Sequence, residues 1–124
     1  MGKSISDPVL DAANAKIATG TRLSVCSAEP ANFAGIAAVE LADVAMTAGD
    51  GNGDYVISNG DTNGRKVRVQ QQSAVPIDAS GTATHIAIDD GATLLAVTTC
   101  TSQALTSGGT VTVPAFDFEF ADPT

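Results

Sequence analysis

Aromatic residues are scarce in this chain of 124 residues, which has no tryptophan, one tyrosine and four phenylalanines. Proteins that bind single-stranded nucleic acid stack the bases on exposed aromatic rings, and sugar-binding sites also favour such rings. The sequence therefore has few of the aromatic residues that either kind of site uses. It also has a single histidine, His85, and two cysteines, Cys26 and Cys100.

Motifs typical of catalysis or of zinc binding are missing as well. There is no G-x-S-x-G nucleophile turn and no Cys-x-x-Cys or Cys/His spacing. We interpret His85 as a surface or hydrogen-bonded side chain. Because Cys26 and Cys100 lie in apolar strand-like runs, we expect free thiols rather than a disulfide. The sequence thus predicts that the protein is not an enzyme and has no cofactor.

Positive charge is absent from the C-terminal part of the chain. The net charge is −8, and residues 69–124 contain six acidic residues and no Lys or Arg. Nucleic acid and anionic membranes repel such a chain, so we expect neither as a partner, and a protein surface is favoured instead.

Long apolar runs are missing too. Nothing approaches the roughly 18 apolar residues of a membrane span, and the first residues do not resemble a signal peptide. The sequence therefore predicts synthesis in the cytoplasm as a soluble protein.

What the chain does contain is a series of short runs rich in Val, Ile and Thr, separated by Gly, Asn and Asp. This pattern is typical of strands. Helix signals are clear in one segment, where Asp7 can cap the helix, Pro8 follows and Gly20 lies beyond its end. Two apolar runs within residues 86–97 flank Asp-Asp-Gly and predict a hairpin.

We therefore predict a mainly β fold, a small single-domain β-sandwich or barrel with one short N-terminal helix. The domain spans residues 7–124, and residues 1–6 form an N-terminal arm. In the last strand the inward face changes from odd to even positions around Pro114, which predicts a β-bulge or a bend there. The three phenylalanines of residues 116–120 are then expected in the core.

The segment GDGNGDYVISNGDTNG, residues 49–64, has the spacing of a calcium loop at Asp50, Asn52 and Asp54. An EF-hand loop requires glycine at the position of Tyr55 and prefers glutamate at the position of Asp61. We therefore predict two turns around a short strand and no metal, and Asp50, Asn52 and Asp54 are the candidate ligands if Ca²⁺ binds.

The cluster Arg65, Lys66 and Arg68 contains half of the basic residues. It has two interpretations, a solubilising face or a surface for an acidic partner. In the second interpretation, the partner could be the acidic edge of a neighbouring copy, since Asp117 and Glu119 alternate with phenylalanines.

Nearly the whole chain, from RLSVCSAEP through NGDTNGRKV to the last forty or so residues ending in TVTVPAFDFEFADPT, resembles short virion structural proteins of tailed bacteriophages, of the head decoration (cement) type. The resemblance implies a β-rich protein that binds the outer surface of the phage head and reinforces the shell. It implies the major capsid protein as partner, a homo-oligomer such as a trimer, and a place on the virion.

Two functions follow as hypotheses, capsid decoration and, as the alternative, a structural protein of the tail or neck, including a receptor- or glycan-binding domain of the tail tip. For decoration, the predicted partner-binding residues are Lys3, Ile5, Val9, Arg65, Lys66 and Arg68. The predicted acidic edge between subunits is Asp117, Glu119 and Asp122.

Overall fold

The computed structural model describes residues 5–61 and 63–121. Strands make up 50% of the structure and helices 13%, and the strands pair in antiparallel sheets. The elements in chain order are α1 (Asp7–Ile17), β1 (Arg22–Cys26), α2 (Ile36–Val39), β2 (Glu40–Ala45), β3 (Tyr55–Asn59), β4 (Arg65–Val69), β5 (Gln72–Pro76), β6 (Gly81–Asp89), β7 (Leu94–Leu105), β8 (Thr110–Val113) and β9 (Phe116–Phe120).

The mainly β fold with an N-terminal helix is confirmed, whereas a barrel does not occur, because no sheet closes on itself in the part described. The chain is a small single domain. Within it, contacts define two compact units whose segments alternate along the sequence. The boundary between an arm of residues 1–6 and the domain stays a prediction, and residues 1–4 lie outside the described residues.

The first unit contains residues 5–19, 47–61, 63–71 and 114–121. Its sheet has the order β3-β4-β9, and both pairings run in unbroken antiparallel register. Alternation gives the sheet two different faces: Tyr55, Val67 and Val69 are fully buried on one, whereas Lys66 and Arg68 lie on the other. Helix α1 packs against β4 and β3.

Three residues of α1 are buried at the spacing of one helix face, namely Leu10, Asn14 and Ile17. The helix cap is one residue earlier than the sequence predicts. Ser6 is the N-cap residue, with extended backbone and no side-chain cap bond, and Asp7 is the first helical residue.

The second unit contains residues 20–46 and 72–113. Its larger sheet has the order β2-β1-β6-β7, and β5 pairs with β8 in a separate two-stranded sheet. The predicted hairpin is confirmed, since β6 and β7 pair and Asp90 Oδ1 accepts the backbone N–H groups of Ala92 at 3.0 Å and Thr93 at 2.8 Å. Gly91 in this turn has a φ of +91°, a conformation that favours glycine.

Of the two alternatives predicted near Pro114, a β-bulge or a bend, the bulge within one continuous strand is wrong. The chain instead ends one strand at Val113 and begins another at Phe116, and the two pair in different sheets, β8 with β5 and β9 with β4. The change of face is thus absorbed by a change of sheet. The phenylalanines of β9 are also not core residues: Phe116 and Phe118 are half-buried and Phe120 is 37% exposed, because β9 is an edge strand.

Within residues 5–61 and 63–121, no helix combines the length and the apolar character that a membrane crossing requires.

Candidate functional site

The basic cluster of β4 divides between the two faces of the strand. Arg65 lies on the side of α1, where its Nε donates to Asp11 Oδ1 at 2.7 Å and its NH1 donates to Asn59 Oδ1 at 2.7 Å. The hydrogen bond that Arg65 donates to Asp11 raises the pKa of Arg65. Arg65 therefore connects helix α1 to strand β4, and its predicted part in partner binding stays a prediction.

Lys66 and Arg68 lie on the opposite face, together with the acidic residues of β9. In the register of the two strands, Lys66 is opposite Glu119 and Arg68 is opposite Asp117. Arg68 NH1 is 3.3 Å from Asp117 Oδ1, and Lys66 Nζ is 3.4 Å from Asp117 Oδ2. We call these four residues the charged face.

Lys66 also reaches into the turn after β3, where its Nζ is 2.6 Å from Asp61 Oδ1. This hydrogen bond, followed by that to Asp117, raises the pKa of Lys66. Asp61 is fixed a second time, because its backbone N–H donates to Glu119 Oε1. The Lys66 side chain is only 15% exposed, whereas that of Arg68 is 46% exposed.

The predicted complementarity between basic and acidic residues is therefore satisfied within one chain. Lys66, Arg68 and Asp117 are joined to each other, so their charge is largely compensated before any partner arrives. An acidic edge between subunits stays a prediction, and Asp122 lies outside the described residues. Glu119 remains the exposed acidic residue of β9.

The N-terminal candidates are apolar and exposed. Val9 is 59% exposed in the first turn of α1, and Ile5 is 40% exposed before the helix begins. Lys3 lies outside the described residues. The predicted binding residues thus separate into an exposed apolar pair, an internal Arg65 and the charged face.

The three candidate ligands of the Asp/Asn-rich loop form hydrogen bonds with backbone groups. Asp50 Oδ1 accepts the N–H of Ile57 at 2.8 Å, and Asp54 Oδ2 accepts the N–H of Thr47 at 2.6 Å. The Asn52 amide donates to the carbonyl of Ala48 at 2.9 Å. Each side chain thus holds the backbone of a turn, which confirms the interpretation as turns around a strand.

A carboxylate cluster that the sequence did not indicate lies in the second unit. Glu40, Asp43 and Asp78 each place one carboxylate oxygen within 4.8 Å of the others. Burial raises the pKa of Glu40, and the hydrogen bond and negative charge of Asp43 raise it further. Arg22 NH1 is 3.8 Å from Asp43 Oδ2. No sequence signal was available, because Asp78 is distant along the chain.

The cysteines and the histidine do not form a reactive pair. Both thiols are free, Cys26 buried and Cys100 half-buried, as expected. Cys26 is opposite His85 in the register of β1 and β6, but burial raises the pKa of its thiol to about 11, whereas a nucleophilic thiol needs a lowered pKa. His85 Nδ1 is 2.8 Å from Thr84 Oγ1, which fits the expected hydrogen-bonded histidine.

Comparison with known proteins gives no relative for this chain. The sequence matches no protein family, and neither a curated protein nor a solved structure is significantly similar to it.

Proposed function

We propose that the protein is a bacteriophage head decoration protein that binds the major capsid protein on the outer surface of the shell and reinforces it. The resemblance of the sequence to such proteins motivates the proposal. The observation that carries it is the exposed apolar pair, Ile5 and Val9, which leaves apolar side chains uncovered in a chain of net charge −8. Side chains of this kind become favourable when a partner removes them from water.

The charged residues take a smaller part in this proposal than the sequence suggested. Arg65 is engaged by Asp11, and Lys66 by Asp61 and Asp117. Arg68, with nearly half of its side chain exposed, is the member of the basic cluster best placed to meet a partner. A single Arg68→Ala variant is therefore a cleaner test of electrostatic binding than a triple substitution, because it removes only the exposed pair with Asp117 and leaves the contacts of Arg65 and Lys66.

The experiment is co-sedimentation of the purified protein with capsid shells of the phage that encodes it. Isolated tails and an unrelated shell are the controls. Saturable binding to heads, at a ratio near a simple fraction of the capsid subunits, supports decoration. Saturable binding to tails alone instead supports the alternative, a tail or neck protein, and binding to neither contradicts both.

Variants locate the contact. We expect Ile5→Asp and Val9→Asp to weaken binding to heads by about tenfold or more, since each places a charge where apolar surface is buried. Ala104→Asp is the control, because Ala104 is exposed on β7 in the second unit. Equal losses for Val9→Asp and Ala104→Asp would contradict the assignment of the contact to the N-terminal segment.

A further inference from the structure

The sheet of the first unit has two edge strands, and they differ in whether other backbone groups cover their outer side. At the β3 edge, the loop before the strand folds back, so that Gly51 N–H donates to the Tyr55 carbonyl at 2.9 Å and Asp50 accepts the N–H of Ile57. At the other edge, no strand of the described residues pairs with the outer side of β9. An edge strand of this kind presents unpaired N–H and C=O groups to which another strand can add.

The two faces of β9 differ in chemistry. Phe116, Phe118 and Phe120 lie on one face, and none of them is buried. The Phe116 and Phe118 rings meet edge to face with centroids 5.5 Å apart. Asp117 and Glu119 lie on the other face. An added strand would therefore meet an aromatic column on one side and an acidic column on the other.

The inner neighbour of β9 shows which sequence such an edge accepts. Strand β4 pairs with β9 without a register shift, and places Val67 opposite Phe118, Lys66 opposite Glu119 and Arg68 opposite Asp117. Its pattern alternates valine with a cation. The outer edge offers the same aromatic column to a second strand of this pattern. In the acidic column Asp117 is already paired with Lys66 and Arg68, whereas Glu119 has no ion pair among the described residues.

We propose that the outer edge of β9 binds an extended segment of another protein, added antiparallel to the strand, in which β-branched apolar residues alternate with Lys or Arg. Strand addition of this kind takes its affinity from main-chain hydrogen bonds and its specificity from alternate side chains. The inference goes beyond capsid decoration and holds for any partner that carries such a segment.

A second copy of β9 is not the occupant. Two β9 strands related by a two-fold axis through Phe118 would place Asp117 of one copy opposite Glu119 of the other, and like charges in directly opposite positions are destabilising. The strand in this chain with the required pattern, β4, is already the central strand of its own sheet.

The test uses the full chain and a synthetic peptide, NGRKVRVQQ, which repeats residues 63–71. The control peptide, NGRVKRVQQ, has the same composition and charge, but exchanging Lys and Val destroys the alternation. Backbone amide NMR shifts report the site, and fluorescence anisotropy of labelled peptide reports affinity. We expect saturable binding of the first peptide, amide shifts concentrated in residues 116–120, and binding of the control at least about fivefold weaker.

A pair of protein variants completes the test. Glu119→Gln keeps an oxygen that accepts the Asp61 N–H and removes the negative charge. We therefore expect it to lower the affinity for the first peptide by about threefold and to reduce the salt dependence of that affinity. Glu29→Gln is the control, because Glu29 is exposed in the second unit and its loss changes the net charge equally. Equal binding of both peptides, equal effects of both variants, or no saturable binding at millimolar peptide would overturn the proposal.

Discussion

Asp50 Oδ1 accepts the backbone N–H of Ile57 at 2.8 Å. Asp50 stands at the first position of the calcium-loop spacing, and its side chain occupies a backbone group at the edge of β3 instead. The N–H of Ile57 would otherwise be open to another chain, because β3 is the edge strand of its sheet.

Replacement of Asp50 tests this function of the loop. We expect Asp50→Ala to lower the free energy of unfolding by about 1 kcal/mol, because the Ile57 N–H loses its acceptor. We also expect any change that Ca²⁺ makes in the Tm to be the same in the variant and the native chain. Thermal unfolding with Ca²⁺ and with EDTA measures both. A Ca²⁺-dependent stabilisation that Asp50→Ala abolishes would show that the loop binds the ion.

The pair Arg22 and Asp89 makes a larger contribution to stability. Arg22 Nε donates to Asp89 Oδ2 at 2.9 Å, and the Asp89 side chain is 1% exposed. Removal of the cation leaves the buried Asp89 carboxylate without an opposite charge, so we expect Arg22→Ala to lower the free energy of unfolding by about 3 kcal/mol. Arg68→Ala removes an exposed pair with Asp117 and should cost under about 1 kcal/mol. Urea unfolding compares them, and equal losses would mean that Asp89 does not depend on Arg22.

The carboxylate cluster should make stability depend on pH. Burial and Asp43 raise the pKa of Glu40 in the folded chain, and Asp78 adds to the effect while Arg22 opposes it. A carboxyl group with a raised folded-state pKa stabilises the fold at pH values below the unfolded pKa. That stabilisation is lost as pH rises through the folded pKa.

We therefore expect the free energy of unfolding to fall as pH rises from about 4.3, the ordinary glutamate pKa, through the raised pKa of Glu40. Glu40→Gln should flatten this slope and raise stability at pH 7, whereas Glu29→Gln, at an exposed position, should change neither. Urea unfolding at a series of pH values gives the slopes. A slope that Glu40→Gln leaves unchanged would assign the pH dependence to other groups.

Asn14 is fully buried in α1, and neither polar atom of its side chain has a hydrogen-bond partner among the described residues. The amide loses its hydrogen bonds to water on folding and gains none in the protein, so its burial lowers the stability of the fold. We expect Asn14→Leu to raise the free energy of unfolding by about 1 kcal/mol. The control variant Ala12→Leu, at an exposed position of the same helix, should have little effect. A loss of stability in Asn14→Leu would contradict the conclusion that the buried amide destabilises the fold.

The elements that sequence patterns predicted well are those fixed by neighbours in the chain. The hairpin of β6 and β7 depends on Asp90 and Gly91 in its own turn, and the first helix on the apolar spacing of its own residues. The turns around β3 likewise follow from local Asn, Asp and Gly residues.

The features that could not be predicted depend on pairings between distant segments. Alternation located the phenylalanines of β9 on one face but could not show that β9 is an edge strand, and so it placed them in the core. It also separated Lys66 from Val67 correctly, yet gave no sign that the acidic partners of Lys66 belong to the same chain. The cluster of Glu40, Asp43 and Asp78 was missed for the same reason.

The alternation of the two units along the chain affects how the protein can be made. Strand β4 lies between β3, which precedes it closely, and β9, which follows it only after four strands of the second unit. Until β9 emerges, one edge of β4 is unpaired, and Lys66 and Arg68 have not yet formed their ion pairs with Asp117. Because domains fold as units during synthesis, the first unit can be completed only after β9 has been translated.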